Sequence, residues 1–153
     1  MPVGPVRIAL HESAAEITVT FPEGGRCIWR GGDLEVAPGT SLAFVRADTN
    51  EMHVREAGNL RAVVTAATVQ PAAGGAFETG GRPYGGTFDL IIHDTGILAI
   101  NRIGLEEYLR GVVPWEIGFL AEEKLEALKA QAVAARSYAV RNFGEFAAEG
   151  YDI

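Results

Sequence analysis

The stretch Ile97-Leu98-Ala99-Ile100-Asn101-Arg102-Ile103-Gly104-Leu105-Glu106-Glu107-Tyr108-Leu109-Arg110-Gly111-Val112 decides the fold, because the hydrophobic period changes inside it. Ile97 to Asn101 is a short apolar run of strand length. Leu105, Tyr108, Leu109 and Val112 stand at i, i+3, i+4 and i+7, which is one face of a short helix. Glu106 and Glu107 fall in its first turn, where the positive end of the helix dipole favours acids. Sheet before Ile103 and helix after it make the chain α+β, strands first and helices after.

Working back from that junction, Thr87 to His93 reads as the hairpin partner of Ile97 to Asn101, joined by Asp94-Thr95-Gly96. Residues 71–86 hold eight glycines and prolines and read as an exposed connection. Their spacing matches neither GxxxxGK[ST] nor a GxGxxG that opens a helix, so no phosphate loop is expected. Further strands are expected at Val6–Leu10, Glu16–Phe21, Arg26–Arg30, Ser41–Ala47, Met52–Glu56 and Leu60–Val69, with Pro22-Glu23-Gly24-Gly25 as a turn.

Working forward, Pro114 is expected to interrupt the short helix, leaving Glu116 in a turn. A long helix is expected from about Glu122 to Ala148, with Gly150 just past its end. Its apolar stripe comprises Leu125, Leu128, Ala132, Ala135, Ala139, Phe143 and Phe146. The strand-rich N-terminal part is followed by one short and one long helix.

Composition narrows the function. The chain has 153 residues, 48% hydrophobic and 22% charged, in the globular range. A net charge of -7, with excess acid in both parts, argues against nucleic-acid binding. No apolar run approaches a membrane span. The single cysteine, Cys27, forms no intrachain disulfide and reads as a small buried hydrophobe. His11, His53 and His93 are scattered without metal-ligand spacing, so no cofactor is expected in this chain. Met1-Pro2-Val3-Gly4-Pro5 has neither the basic start nor the apolar stretch of a signal peptide.

Two features break the pattern. At ~100° per residue, Lys129 and Arg136 project within about 20° of each other and inside the arc of the apolar stripe. Buried cations need partners. Snorkelling stems, a structural ion pair and a ligand site are all compatible with the pattern. In Val112-Val113-Pro114-Trp115-Glu116-Ile117, one carboxylate stands between two large apolar residues. Apolar surroundings favour the neutral carboxyl, which can act as a general acid; a helix cap or a solvated side chain fits the same residues.

The blocks Tyr84 to Phe88, Leu98 to Ile117 and Glu126 to Ala139 together resemble the stage II sporulation protein D family, over roughly residues 84–141. The resemblance implies two parts, residues 1–83 and residues 84–153, in one compact unit whose catalytic region continues beyond Ile153 in relatives. It implies lytic transglycosylase activity on peptidoglycan glycan strands freed of stem peptides. The bond between N-acetylmuramic acid and N-acetylglucosamine would be cut, leaving 1,6-anhydro-N-acetylmuramic acid ends. Glu116 matches the family's catalytic acid, and Lys129 and Arg136 match its basic groove residues. Trp115, where many relatives have a small residue, and Tyr108 are candidate sugar contacts. Cysteine and histidine residues linked to zinc lie downstream of the matched region in relatives. The resemblance also implies an extracytoplasmic, cell-envelope location. The alternative within the family is a non-catalytic wall-binding module of the amidase-enhancer type.

Overall fold

The computed structural model describes residues 4–94, 96–118 and 124–153, apart from the side chains of residues 11–13. Thr95 of the expected hairpin turn, Glu122 and Glu123 of the expected helix start, and the His11 side chain therefore lie outside the described residues. Strands occupy β1 (Val6–Ala14), β2 (Glu16–Phe21), β3 (Gly25–Trp29), β4 (Gly32–Val36), β5 (Thr40–Asp48) and β6 (Glu51–Glu56). They continue with β7 (Asn59–Val64), β8 (Ala66–Pro71), β9 (Phe77–Thr79), β10 (Arg82–Tyr84), β11 (Thr87–His93) and β12 (Gly96–Ile103). Two helices follow, α1 (Leu105–Ile117) and α2 (Leu125–Arg141), and then a single 3₁₀ turn at Ala147–Glu149. The α+β order expected from the change of period is the order observed.

The chain divides into two compact units, one of residues 9–102 and one formed by residues 1–8 with 103–153. The first holds the strands in two sheets, ordered β1-β12-β11-β8-β3-β4 and β10-β9-β2-β5-β6-β7. In β2, Ile17, Val19 and Phe21 are buried while Glu16 and Thr18 are exposed, the alternation a half-buried strand requires. These residues share one core with Leu42, Phe44 and Val54 of their own sheet and with Cys27, Val69, Phe88 and Leu90 of the other. The backbone of β3 comes so close to β8 that a Cβ at Gly25 would run into the Gln70 carbonyl. At the β11–β12 turn, Asp94 adopts a positive φ of 44°, which a short hairpin loop demands. The Arg46 guanidinium donates to the carbonyls of Asp94 (2.5 Å) and Gly96 (3.1 Å), tying that turn to β5.

Several expectations are corrected. Leu60 to Val69 is two strands in different sheets, because the chain switches face near Thr65: Val64 is buried before it, Ala67 and Val69 after it. β4 forms at Gly32–Val36, where no strand was expected. The glycine-rich passage is not merely an exposed connection. It contains the β9–β10 hairpin, and Phe77 sinks fully into the core against Phe88, ring centroids 4.2 Å apart.

In the second unit, α1 does not stop at Pro114. Proline lacks the N–H that would meet the Arg110 carbonyl, yet the helix runs on to Ile117 and ends at Gly118, whose φ is 82°. Glu116 therefore occupies the last turn of α1, not an interhelical turn. α2 ends at Arg141, seven residues before the expected Ala148. Of its expected stripe only Ala139 is buried; Leu125, Phe143 and Phe146 are exposed. The chain's last described residues fold back to the start of β1. Asp152 accepts bonds from the Arg7 backbone N–H (2.9 Å), Nε (3.2 Å) and Nη2 (2.9 Å), and its own N–H donates to the Arg7 carbonyl (2.7 Å). Burial works against the Asp152 charge, but these bonds outweigh it and hold the carboxyl below its ordinary range.

Candidate functional site

α1 and α2 pack as an antiparallel pair, since the start of α1 bonds to the later part of α2 and its end to the earlier part. Arg136 Nε donates to Glu106 Oε1 at 3.1 Å and Nη2 to Oε2 at 2.6 Å, a bidentate pair. The hydrogen bonds from Arg136 hold the Glu106 carboxyl below its usual range, and the same bonds raise the guanidinium. Lys129 Nζ pairs one helical turn back with Glu126, at 2.7 Å. Both cations thus have carboxylate partners within the helix pair, which realises the ion-pair reading of their placement.

The two cations also line one groove of about 400 Å³. Leu109, Val113, Leu128 and Ala132 give it an apolar floor, and Glu106, Arg110, Pro114, Lys129 and Arg136 its rim. Three cations against one carboxylate make this rim electropositive on an acidic protein. Sequence reasoning missed Arg110 and Glu106 as groove residues. Their i, i+4 spacing on the face opposite Tyr108 was the available signal.

Glu116 is not among the described residues that line this groove. Its Oε2 accepts a hydrogen bond from Gln131 Nε2. On α2, Gln131 projects about 200° away from Lys129, so the Glu116–Gln131 pair lies on the other flank of the helix pair. Among the described residues the apolar enclosure expected around this carboxylate does not form: Glu116 is exposed, and Trp115 is 65% exposed. Tyr108 shares this second flank. Burial pushes its hydroxyl up, and the Glu116 carboxylate and Tyr138 push it further. Tyr138, 62% exposed, was not singled out from sequence, although it sits seven residues after Gln131 just as Arg136 sits seven after Lys129.

Residues 93–153, which carry α1, α2 and both flanks, match the family model of SpoIID, the stage II sporulation protein. Over that segment the chain is similar to the SpoIID family. Two curated relatives agree with the assignment. Stage II sporulation protein D of Bacillus subtilis is 39% identical over 90 residues, covering 58% of this chain and 24% of that protein. An uncharacterized protein of Brachyspira hyodysenteriae is 39% identical over 64 residues, covering 42% of this chain and 17% of that protein. The matched part is therefore a quarter or less of each relative's length. No solved structure matches significantly. Tyr108, Trp115, Glu116, Lys129 and Arg136 all lie inside the SpoIID segment. The structure brings Lys129 and Arg136 together, and it places Tyr108 and Glu116 on a different flank of the same two helices. Among the described residues, no helix is long and apolar enough to cross a membrane.

The zinc that the resemblance implies for relatives finds no fitting donor set among the described residues. Cys27, the chain's one cysteine, is fully buried in the strand core, and burial pushes its thiol up to about 12. Such a thiol is not a ready thiolate ligand.

Proposed function

We propose that this chain is the glycan-engaging part of a SpoIID-type lytic transglycosylase of the cell envelope, acting on peptidoglycan strands that lack stem peptides. The observation that carries the reading is the SpoIID match across the segment holding Glu116, Lys129 and Arg136. Two features of the helix pair support it. The Glu116 carboxylate is open to a ligand and oriented by Gln131. The neighbouring groove carries Arg110, Lys129 and Arg136, whose charge suits the lactyl carboxylate exposed on stripped muramic acid.

In the proposed reaction Glu116 in its acid form protonates the glycosidic oxygen as positive character develops at C1 of the muramic acid. The resulting carboxylate then takes the proton of that sugar's C6 hydroxyl, whose oxygen closes onto C1. The bond to the departing sugar breaks, a 1,6-anhydro ring forms, and no water is consumed. One carboxylate suffices because the substrate supplies its own nucleophile. On the other flank, Arg110, Lys129 and Arg136 hold the lactyl carboxylate of another muramic acid of the same strand.

The test is mass spectrometry of products from denuded glycan strands. Wild type is expected to release anhydro-ended fragments, and Glu116→Gln to lose about 10²–10⁴ in rate. Undiminished anhydro product from Glu116→Gln would overturn the assignment.

The exposure of Glu116 favours a second reading, a non-catalytic wall-binding module of the amidase-enhancer type. That reading expects glycan binding with no anhydro product from wild type, and binding that survives Glu116→Gln.

A further inference from the structure

The polarity of α2 is reversed for a surface helix. Such a helix turns its charges outward and its apolar stripe inward. Here Lys129 and Arg136 line the groove shared with α1, and the outward arc is apolar. Ala127, Ala130, Val133, Ala134, Ser137 and Val140 project within about 140° of one another and are all exposed. Val133 is 59% exposed. Ser137 commits its hydroxyl inside the helix, donating to the Val133 carbonyl at 2.8 Å. The charges on this arc stand at its two ends, Glu126 in the first turn and Arg141 in the last. Lys129 Nζ occupies Glu126 Oε1, so Oε2 remains to accept another donor. Arg141 has no carboxylate partner among the described residues.

We propose that the outward face of α2 is a self-association surface, covered by the same face of a second copy of this chain running antiparallel across a twofold axis. The proposal goes beyond the glycan-acting reading and does not rest on it. Charge complementarity selects the occupant. With the axis between Val133 and Ala134, Glu126 stands level with Arg141 of the second copy, and twofold symmetry repeats the pair at the other end. In the same register Ala127 is level with Val140 of the second copy, Ala130 with its Ser137 and Val133 with its Ala134. Each valine thus stands level with an alanine, and the small side chains let the helices approach closely. A parallel pair would instead bring Glu126 to Glu126 and Arg141 to Arg141. Lys129, Arg136 and Gln131 project about 90–110° from the centre of the face, so both flanks of the helix pair stay open. A strip one helix wide and ~25 Å long falls short of the ~800 Å² per partner of a standard interface. The dimer is therefore weak, with a dissociation constant on the order of 10⁻⁴ M.

Sedimentation equilibrium of the full 153-residue chain, from ~10 μM to ~1 mM, tests this. A reversible monomer–dimer equilibrium without larger species is expected. Val133→Lys is expected to weaken it about tenfold or more, and Arg141→Glu or Glu126→Arg alone about three- to tenfold. The double variant Glu126→Arg/Arg141→Glu restores the pairing with exchanged signs and is expected within about threefold of wild type. All three side chains are exposed, so unchanged unfolding midpoints check that the variants fold. Register is read by oxidation: a mixture of Ala130→Cys and Ser137→Cys chains is expected to form the mixed disulfide, and neither chain alone to cross-link at these positions. A chain monomeric at ~1 mM, whether its face stays bare or serves an unrelated protein, overturns the proposal. So does a double variant as weak as the single ones, or an Ala130→Cys chain that cross-links to itself through that residue.

Discussion

Arg136 grips Glu106 across the two helices with two guanidinium nitrogens, so the groove's best carboxylate receptor is already occupied by a carboxylate of the same chain. An incoming anionic glycan must displace Glu106 before Arg136 can bind it. The pair is exposed, which makes the exchange inexpensive and sensitive to salt.

Glu106→Gln is therefore expected to tighten binding of a carboxylate-bearing stripped glycan, by roughly two- to fivefold, the scale of an exposed ion pair. Calorimetric titration at low ionic strength measures it, and the gain should shrink at high salt. Weaker binding in Glu106→Gln would mean that Glu106 orients Arg136 for the ligand rather than competing with it.

The Arg7–Asp152 contact predicts an acid-sensitive variant. Asp152 is 1% exposed, and its folded carboxyl is held below the ordinary value, so it contributes stability above that value that is lost as pH falls through the depressed one. Arg7→Ala strips the two guanidinium bonds and their charge, leaving the backbone N–H alone against burial, which acts in the opposite direction. The variant is expected to lose about 1–3 kcal/mol near neutral pH, as a buried acceptor loses its donors. Its acid unfolding limb should begin at higher pH than in wild type, as read by circular dichroism across a pH series. Coincident limbs would count against the contact.

Gly25→Ala tests the close approach of β3 and β8. The added methyl would meet the Gln70 carbonyl, and also Phe21 Cδ1 at 2.9 Å. Neither a strand backbone nor a core ring can move aside easily. A loss of about 1–3 kcal/mol is expected from overpacking, measured by urea unfolding. Stability equal to wild type would show that the two strands stand further apart.

Cys27 makes an alkaline prediction. Its thiol is pushed from an ordinary 9.0 to about 12 by burial, so between those values the folded chain keeps a proton the unfolded chain has lost. Stability should fall as pH rises through that window, by up to about 1.4 kcal/mol per pH unit from this group. Cys27→Ala is expected to flatten the limb. In native wild type the thiol should resist alkylation until the chain opens, and prompt native-state labelling would contradict its burial.

Much of the sheet was legible in the sequence, because alternation along strands such as β2 records directly which face is buried. The break at Thr65 escaped it: Leu60 to Val69 reads as one run, and the change of parity between Val64 and Ala67 shows only in which residues are buried. The β9–β10 hairpin was not legible either, because a lone Phe77 among glycines gives no period. Pro114 does not stop α1, because a missing donor near the last turn removes one bond and does not end the helix. The site was legible only in one dimension. Helical spacing placed Lys129 and Arg136 together, but only the packing of α1 on α2 gave Glu116 to Gln131 on the opposite flank. The expected burial of Glu116 failed for a related reason, since large apolar neighbours in sequence do not enclose a side chain unless the fold turns them inward.

The edge position of β1 governs the order in which this molecule can assemble. Its neighbour in the sheet is β12, so the segment at residues 6–14 has to wait for residues 96–103 before it gains a strand partner. During synthesis from the N-terminus, β5, β6 and β7 can close as successive local hairpins while β1 still has an open edge. Closing so long a loop is slow, and an unpaired strand is a template for the wrong neighbour. A strand made well before its partner is thus among the last to be secured, and yields in the cell will depend on how well that waiting strand is shielded.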